Sequence, residues 1–98
     1  MALVAFKRAN EPAADELEEI FHEHYRLVYR AAYSVTGSEQ EAEDVLQTLF
    51  LQLLRSGVPP GFRKNPKAYL YRAAINQALN AVRSRRRHAQ IFELAGLE

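Results

Sequence analysis

The sequence predicts an all-α fold, a compact helical bundle of three main helices. Three observations carry that expectation. Glycine falls only at 37, 57, 61 and 96, and proline only at 12, 59, 60 and 66, so three long stretches lack internal breakers. In each stretch apolar residues recur at helical spacing. Each stretch also carries helix start or stop chemistry at its ends. The 98 residues suffice for one domain with a modest core. An apolar share of 48% favours folding over disorder.

The first helix is expected from about Ala13 to Val35. Leu17, Ile20, Phe21, Val28, Ala31, Ala32 and Val35 give its apolar face. Pro12 suits a first turn, and Asp15, Glu16, Glu18 and Glu19 suit the positive end of the helix dipole. Thr36-Gly37 should end it, with Gly37 free to take a left-handed cap.

The second helix opens at Ser38, where Ser38 and Glu41 fit a capping box. Ala42, Val45, Leu46, Leu49, Phe50 and Leu53 form its apolar stripe. Leu51 and Leu54 fall outside that stripe, beside Asp44 and Gln47. They are either ordinary exposed leucines or the apolar part of a protein-binding face.

The segment Ser56–Asn65 contains Pro59-Pro60-Gly61 and reads as a loop. Phe62 follows at once, then Arg63 and Lys64. An aromatic on a stiff loop next to two cations suits stacking on an unpaired base. Equally, Phe62 can fold back and plug the core.

The third helix takes Asn65 as its N-cap and Pro66 as its first residue, and should run to about Arg87. Leu70, Ala74, Ile75, Ala78, Leu79 and Val82 supply its buried face, with Tyr71 at the margin. A short fourth helix beyond Arg87 is compatible with the sequence. Tyr69, Arg72, Ala73, Asn76, Asn80, Arg83 and Arg87 share the opposite stripe. It holds an aromatic, two carboxamides and three guanidiniums, without an acid. Carboxamides pair with base edges, arginines hold phosphates and tyrosine stacks.

Charge divides along the chain. Residues 1–50 hold ten Asp/Glu against four Lys/Arg, a balance of −6. Residues 51–98 hold nine Lys/Arg against two Asp/Glu, a balance of +7. Oppositely charged halves point to two surfaces with different partners, and the basic half matches a polyanion.

No catalytic pattern stands out. A Gly-rich phosphate loop, H-E-x-x-H and a serine or cysteine nucleophile pattern are all missing. There is no cysteine, hence no disulfide framework or thiolate metal site. His22 and His24 are two apart and diverge on a helix. Neither an enzyme, nor a metal, nor a cofactor is expected. No apolar run approaches the roughly 20 residues that span a bilayer, so membrane insertion is not expected and a cytoplasmic setting is the simplest inference.

The ordered string GSEQEAEDVLQTLFLQLL, then the Pro/Gly loop with Phe62-Arg63, then NPKAYLYRAAINQALNAVRSRRR, resembles region 2 of a bacterial RNA polymerase sigma factor. It is most similar to the extracytoplasmic-function (ECF) branch of the sigma-70 family, from about Leu17 to Arg87. That resemblance implies a non-enzymatic domain for transcription initiation. It implies docking on the clamp helices of the beta-prime subunit of core RNA polymerase. It implies recognition and melting of the promoter −10 element, with an unpaired non-template base held in a loop pocket, and occlusion by an anti-sigma factor. At matching positions the polymerase face would include Asp44, Gln47, Thr48, Leu51 and Leu54. The DNA face would include Phe62, Arg63, Lys64, Tyr69, Asn76, Asn80 and Arg83, to which the helical stripe adds Arg72 and Arg87. The two faces are expected on opposite sides of the bundle. Thr48 stands where the family often has an acid, and Tyr69 where many members have tryptophan.

Residues 1–12 then read as an N-terminal extension, 13–87 as the region 2-like domain and 88–98 as the start of a linker. The family's second domain, region 4, finds no counterpart here, so a truncated form or remnant of a longer protein is expected. Two rival readings are a generic helical nucleic-acid module and a protein-interaction domain whose basic half meets an acidic partner.

Overall fold

The computed structural model describes residues 14–96. They form three helices, α1 (Ala14–Thr36), α2 (Glu39–Ser56) and α3 (Pro66–Ala95). Among the described residues there is no strand. Pro12 and the extension 1–12 lie outside them.

The caps follow the sequence in part. Ser38 Oγ accepts from the Glu41 N–H at 3.2 Å, which is one half of a capping box. The other half is rewired. The Ser38 N–H donates to Thr36 Oγ1 at 3.3 Å, leaving the Glu41 carboxylate to turn elsewhere. Asn65 Oδ1 accepts from the Ala68 N–H at 3.1 Å, with Pro66 opening α3. Gly37 ends α1 at φ 67°, in the left-handed region.

Two pairs of contacts fix the directions. Glu16 and Arg63 meet near the starts of α1 and α3, and Thr36 and Arg85 meet near the end of α1. These two helices therefore run in the same sense. Glu41 meets Arg85 and Gln52 meets Gln77, so α2 runs against α3. One core joins all three helices: Leu17, Phe21, Val28, Ala31 and Ala32 of α1, the predicted stripe of α2, and Leu70, Ala74 and Ala78 of α3. Phe21 and Phe50 meet edge to face, 5.1 Å apart. Leu79, expected inside, is 36% exposed and sits at the margin.

α3 does not stop near Arg87. It continues to Ala95, closed by Gly96 at φ 73°, so residues 88–95 extend the third helix instead of forming a fourth. Neither glycine nor proline interrupts this stretch, so nothing in the backbone forces an end. At about 1.5 Å per residue α3 is roughly 45 Å long, most of the 53 Å long axis.

Phe62 plugs the core. Its N–H donates to the Pro59 carbonyl at 3.2 Å, and Gly61 at φ 86° reverses the chain. The ring is 1% exposed and meets Tyr69 edge to face at 5.3 Å. This corrects the expectation of a base-stacking ring, because no face is left for a base. A tight turn tethered to both α2 and α3 brings the ring within reach of their shared apolar seam, where burial stabilises it by about 1.5–3 kcal/mol. Phe62→Ala should lower the unfolding free energy by about 3–5 kcal/mol in denaturant titration, the usual cost of emptying an aromatic core site. A loss below about 1 kcal/mol would place the ring outside the core.

Candidate nucleic-acid interface

The cap at Asn65 and the buried Leu70, Ala74 and Ala78 set how α3 is rotated. Turned outward along it are Arg72, Asn76, Asn80, Arg83 and Arg87, all exposed. Arg83 Nη1 donates to Asn80 Oδ1 at 3.3 Å, so this guanidinium and carboxamide are held together. The only acid within α3 is Glu93, beyond the stripe. Arg63 and Lys64 are exposed on the turn that leads into it. Arg63 pairs with Glu16 at 3.8 Å, both about half exposed, a contact weak enough for a phosphate to displace. Tyr69 is half-buried, with part of its ring spent on Phe62.

Asp44, Gln47, Thr48, Leu51 and Leu54 are all exposed on α2. Leu51 and Leu54 keep 49% and 42% of their surface, too much for the core to account for their presence. This face does not lie opposite the stripe of α3. Asp44 and Thr48 line a groove of about 260 Å³ with Gln77 and Asn80, and Gln77 Nε2 donates to Gln52 Oε1 at 3.1 Å. The expectation of two opposed surfaces is corrected to two that adjoin along the α2–α3 seam. Helical spacing shows which residues share a face of one helix, but not the angle between faces of two helices.

Gln47 also borders a second groove of about 260 Å³ between α1 and α2, lined by Glu18, Phe21, His22, Tyr25, Leu46 and Phe50. Tyr25 belongs to a row that the sequence reading missed. Tyr25 and Tyr29 stack at 6.1 Å, and Tyr29 and Tyr33 at 6.2 Å. Their spacing of four was the available signal. Arg85 was read as part of a basic run; its side chain stays about half exposed, yet its guanidinium reaches the junction of α1 and α2. Its Nη2 donates to the Thr36 carbonyl at 3.4 Å and lies 3.7 Å from Glu41 Oε1.

No group of three or more metal-ligating side chains occurs among the described residues. No helix among them is long and apolar enough to cross a membrane.

The family model for Sigma-70 region 2 matches residues 20–88. The ECF RNA polymerase sigma factor SigE of Mycolicibacterium smegmatis (strain ATCC 700084 / mc(2)155) is 32% identical over 80 residues. That match covers 80% of this chain but 30% of the relative, so the chain spans under a third of the relative's length. No solved structure matches.

Tyr29 reports on the α1–α2 surface. Burial and the nearby Glu39 and Glu43 carboxylates raise its pKa above the ordinary 10.0, because each disfavours the phenolate. The folded chain thus keeps a proton that the unfolded chain releases. Stability from this source is intact below pH 10.0 and falls as pH climbs through the raised value. In NMR titration of ring-labelled tyrosine, Glu39→Gln with Glu43→Gln should move the Tyr29 midpoint down. An unmoved midpoint would show that the carboxylates are not felt there.

Proposed function

The chain belongs to the Sigma-70 region 2 family, and from that premise we propose that it serves transcription initiation by binding core RNA polymerase and engaging promoter DNA. It acts by binding and needs no catalytic group. The observation that carries the reading is the exposed, acid-free stripe Arg72, Asn76, Asn80, Arg83 and Arg87, adjoining the exposed leucine-bearing face of α2.

Asp44, Gln47, Thr48, Leu51 and Leu54 dock on the clamp helices of the beta-prime subunit. Leu51 and Leu54 supply apolar contact, and Asp44, Gln47 and Thr48 supply polar register. The stripe, with Arg63 and Lys64, takes the non-template strand of the −10 element. Arginines pair with phosphates, while Asn76 and Asn80 present carboxamides to base edges. Holding a base out of the stack costs a few kcal/mol. With Phe62 buried, Tyr69 offers only what remains open of its ring, so polar contacts bear more of that cost. An anti-sigma factor covering the seam would block both surfaces together.

In a pull-down with a beta-prime clamp-helix fragment, Gln47→Ala combined with Leu54→Ala should abolish capture. Full capture by that variant would remove α2 from the polymerase contact. In fluorescence anisotropy a −10 non-template single strand should bind more tightly than random duplex, whose Kd at physiological salt should fall at about 10⁻⁴–10⁻⁶ M. Arg83→Ala should lower the slope of log K against log salt by about 0.7, one single-strand phosphate. Equal affinity for strand and duplex would sink the base-capture account.

A further inference from the structure

Arg85 sits among four arginines between residues 83 and 87 and would ordinarily be counted with them as a phosphate ligand. Its surroundings say otherwise. α1 ends without a basic residue in its last turn, although its terminal carbonyls favour a cation. Arg85 Nη2 supplies that cation from α3, donating to the Thr36 carbonyl at 3.4 Å. The same nitrogen lies 3.7 Å from Glu41 Oε1. That oxygen is buried and takes no hydrogen bond, so the guanidinium is the group that compensates its charge. Glu41 is free for this because Thr36 Oγ1, not Glu41, satisfies the Ser38 N–H. One side chain therefore joins the end of α1, the start of α2 and the distal half of α3.

Position adds to the case. Arg85 is exposed like the described residues after it, but among the described residues no hydrogen bond or ion pair from α3 to another helix lies beyond it, so Arg85 is the last polar tie of α3 to the bundle. Arg83 and Arg87 flank it on the outer stripe. We infer that Arg85 is a positioning residue for the DNA-binding stripe: it anchors the distal half of α3 to the α1–α2 junction and holds no phosphate itself. This rests on the DNA reading proposed above.

The experiment is anisotropy with the −10 single strand across a salt series, on Arg85→Ala, Arg85→Lys, Glu41→Gln, the Arg85→Ala/Glu41→Gln pair and Arg83→Ala. Arg85→Ala should weaken binding roughly fivefold, as loss of one member of a coupled network does, with the salt slope unchanged. Glu41→Gln should weaken it too, and the double variant should be no worse than Arg85→Ala. Arg85→Lys keeps the charge on a shorter, compact head, so it should weaken binding if the residue positions and leave it intact if it holds a phosphate. This variant decides the matter should Arg85→Ala fail to fold. The inference is overturned if Arg85→Ala lowers the salt slope as Arg83→Ala does, or if Glu41→Gln tightens binding by releasing a phosphate-seeking arginine. Hydrogen exchange separates the two levels. If the parent chain binds no DNA, the proposed function fails, while faster exchange confined to the turns after residue 84 in Arg85→Ala still shows the anchor.

Discussion

The ring of Phe62 is the contact on which the orientation of α3 depends. The fully buried face of this helix is small: Leu70, Ala74 and Ala78, two of them bare methyl groups. Such a face grips weakly against rotation about the helix axis. Phe62, one of the largest fully buried side chains, enters from the preceding turn and locks its edge on Tyr69, in the first turn of α3. A twist of α3 would move Tyr69 off that ring and open a void, which close-packed interiors resist. With the rotation fixed, Arg72, Asn76, Asn80, Arg83 and Arg87 face outward together.

The seam between α2 and α3 then gives the proposed surfaces their relation. Asp44, Thr48, Gln77 and Asn80 share one groove, and Gln77 bridges to Gln52, one turn beyond Thr48 on α2. A partner seated on Asp44 and Thr48 would meet the same groove as a strand lying across Asn80. Contact at one face would change what the other meets, and any such change in affinity is reciprocal. Opposed surfaces would have had to communicate through the core, whereas adjoining ones need only share side chains.

Much of this was legible in the sequence because it is local. Breakers, caps and periodicity placed three helices, and the spacing from Arg72 to Arg87 placed five side chains on one face. What escaped depends on which segments meet in space. Phe62 could equally face outward until the turn from Pro59 to Lys64 was seen to fold it inward. The capping box failed at Glu41 because Thr36 and Arg85, distant in sequence from each other, offered each group a different partner. The end of α3 was misjudged because composition changes near Arg87 while the backbone has no reason to stop before Gly96. The tyrosine row was within reach of the same spacing rule, but all its members were too amphipathic to register as core or as charge.

The division of charge takes a different form in space than along the chain. Because α1 lies beside α3, acids of the first half meet cations of the second: Glu16 with Arg63, and Glu41 with Arg85. These pairs offset part of the positive charge of Arg63 and Arg85. Arg72, Arg83 and Arg87 form no ion pair among the described residues and share the outer stripe of α3. Asp15, Glu18, Glu19 and Glu23 instead line a hollow along α1. The molecule is thus polarised across its helices, one face acidic and another basic, at a net charge of +1. A polyanion approaching such a body is drawn to the stripe and repelled from the acidic hollow of α1, so the charge pattern selects an orientation before any close contact forms.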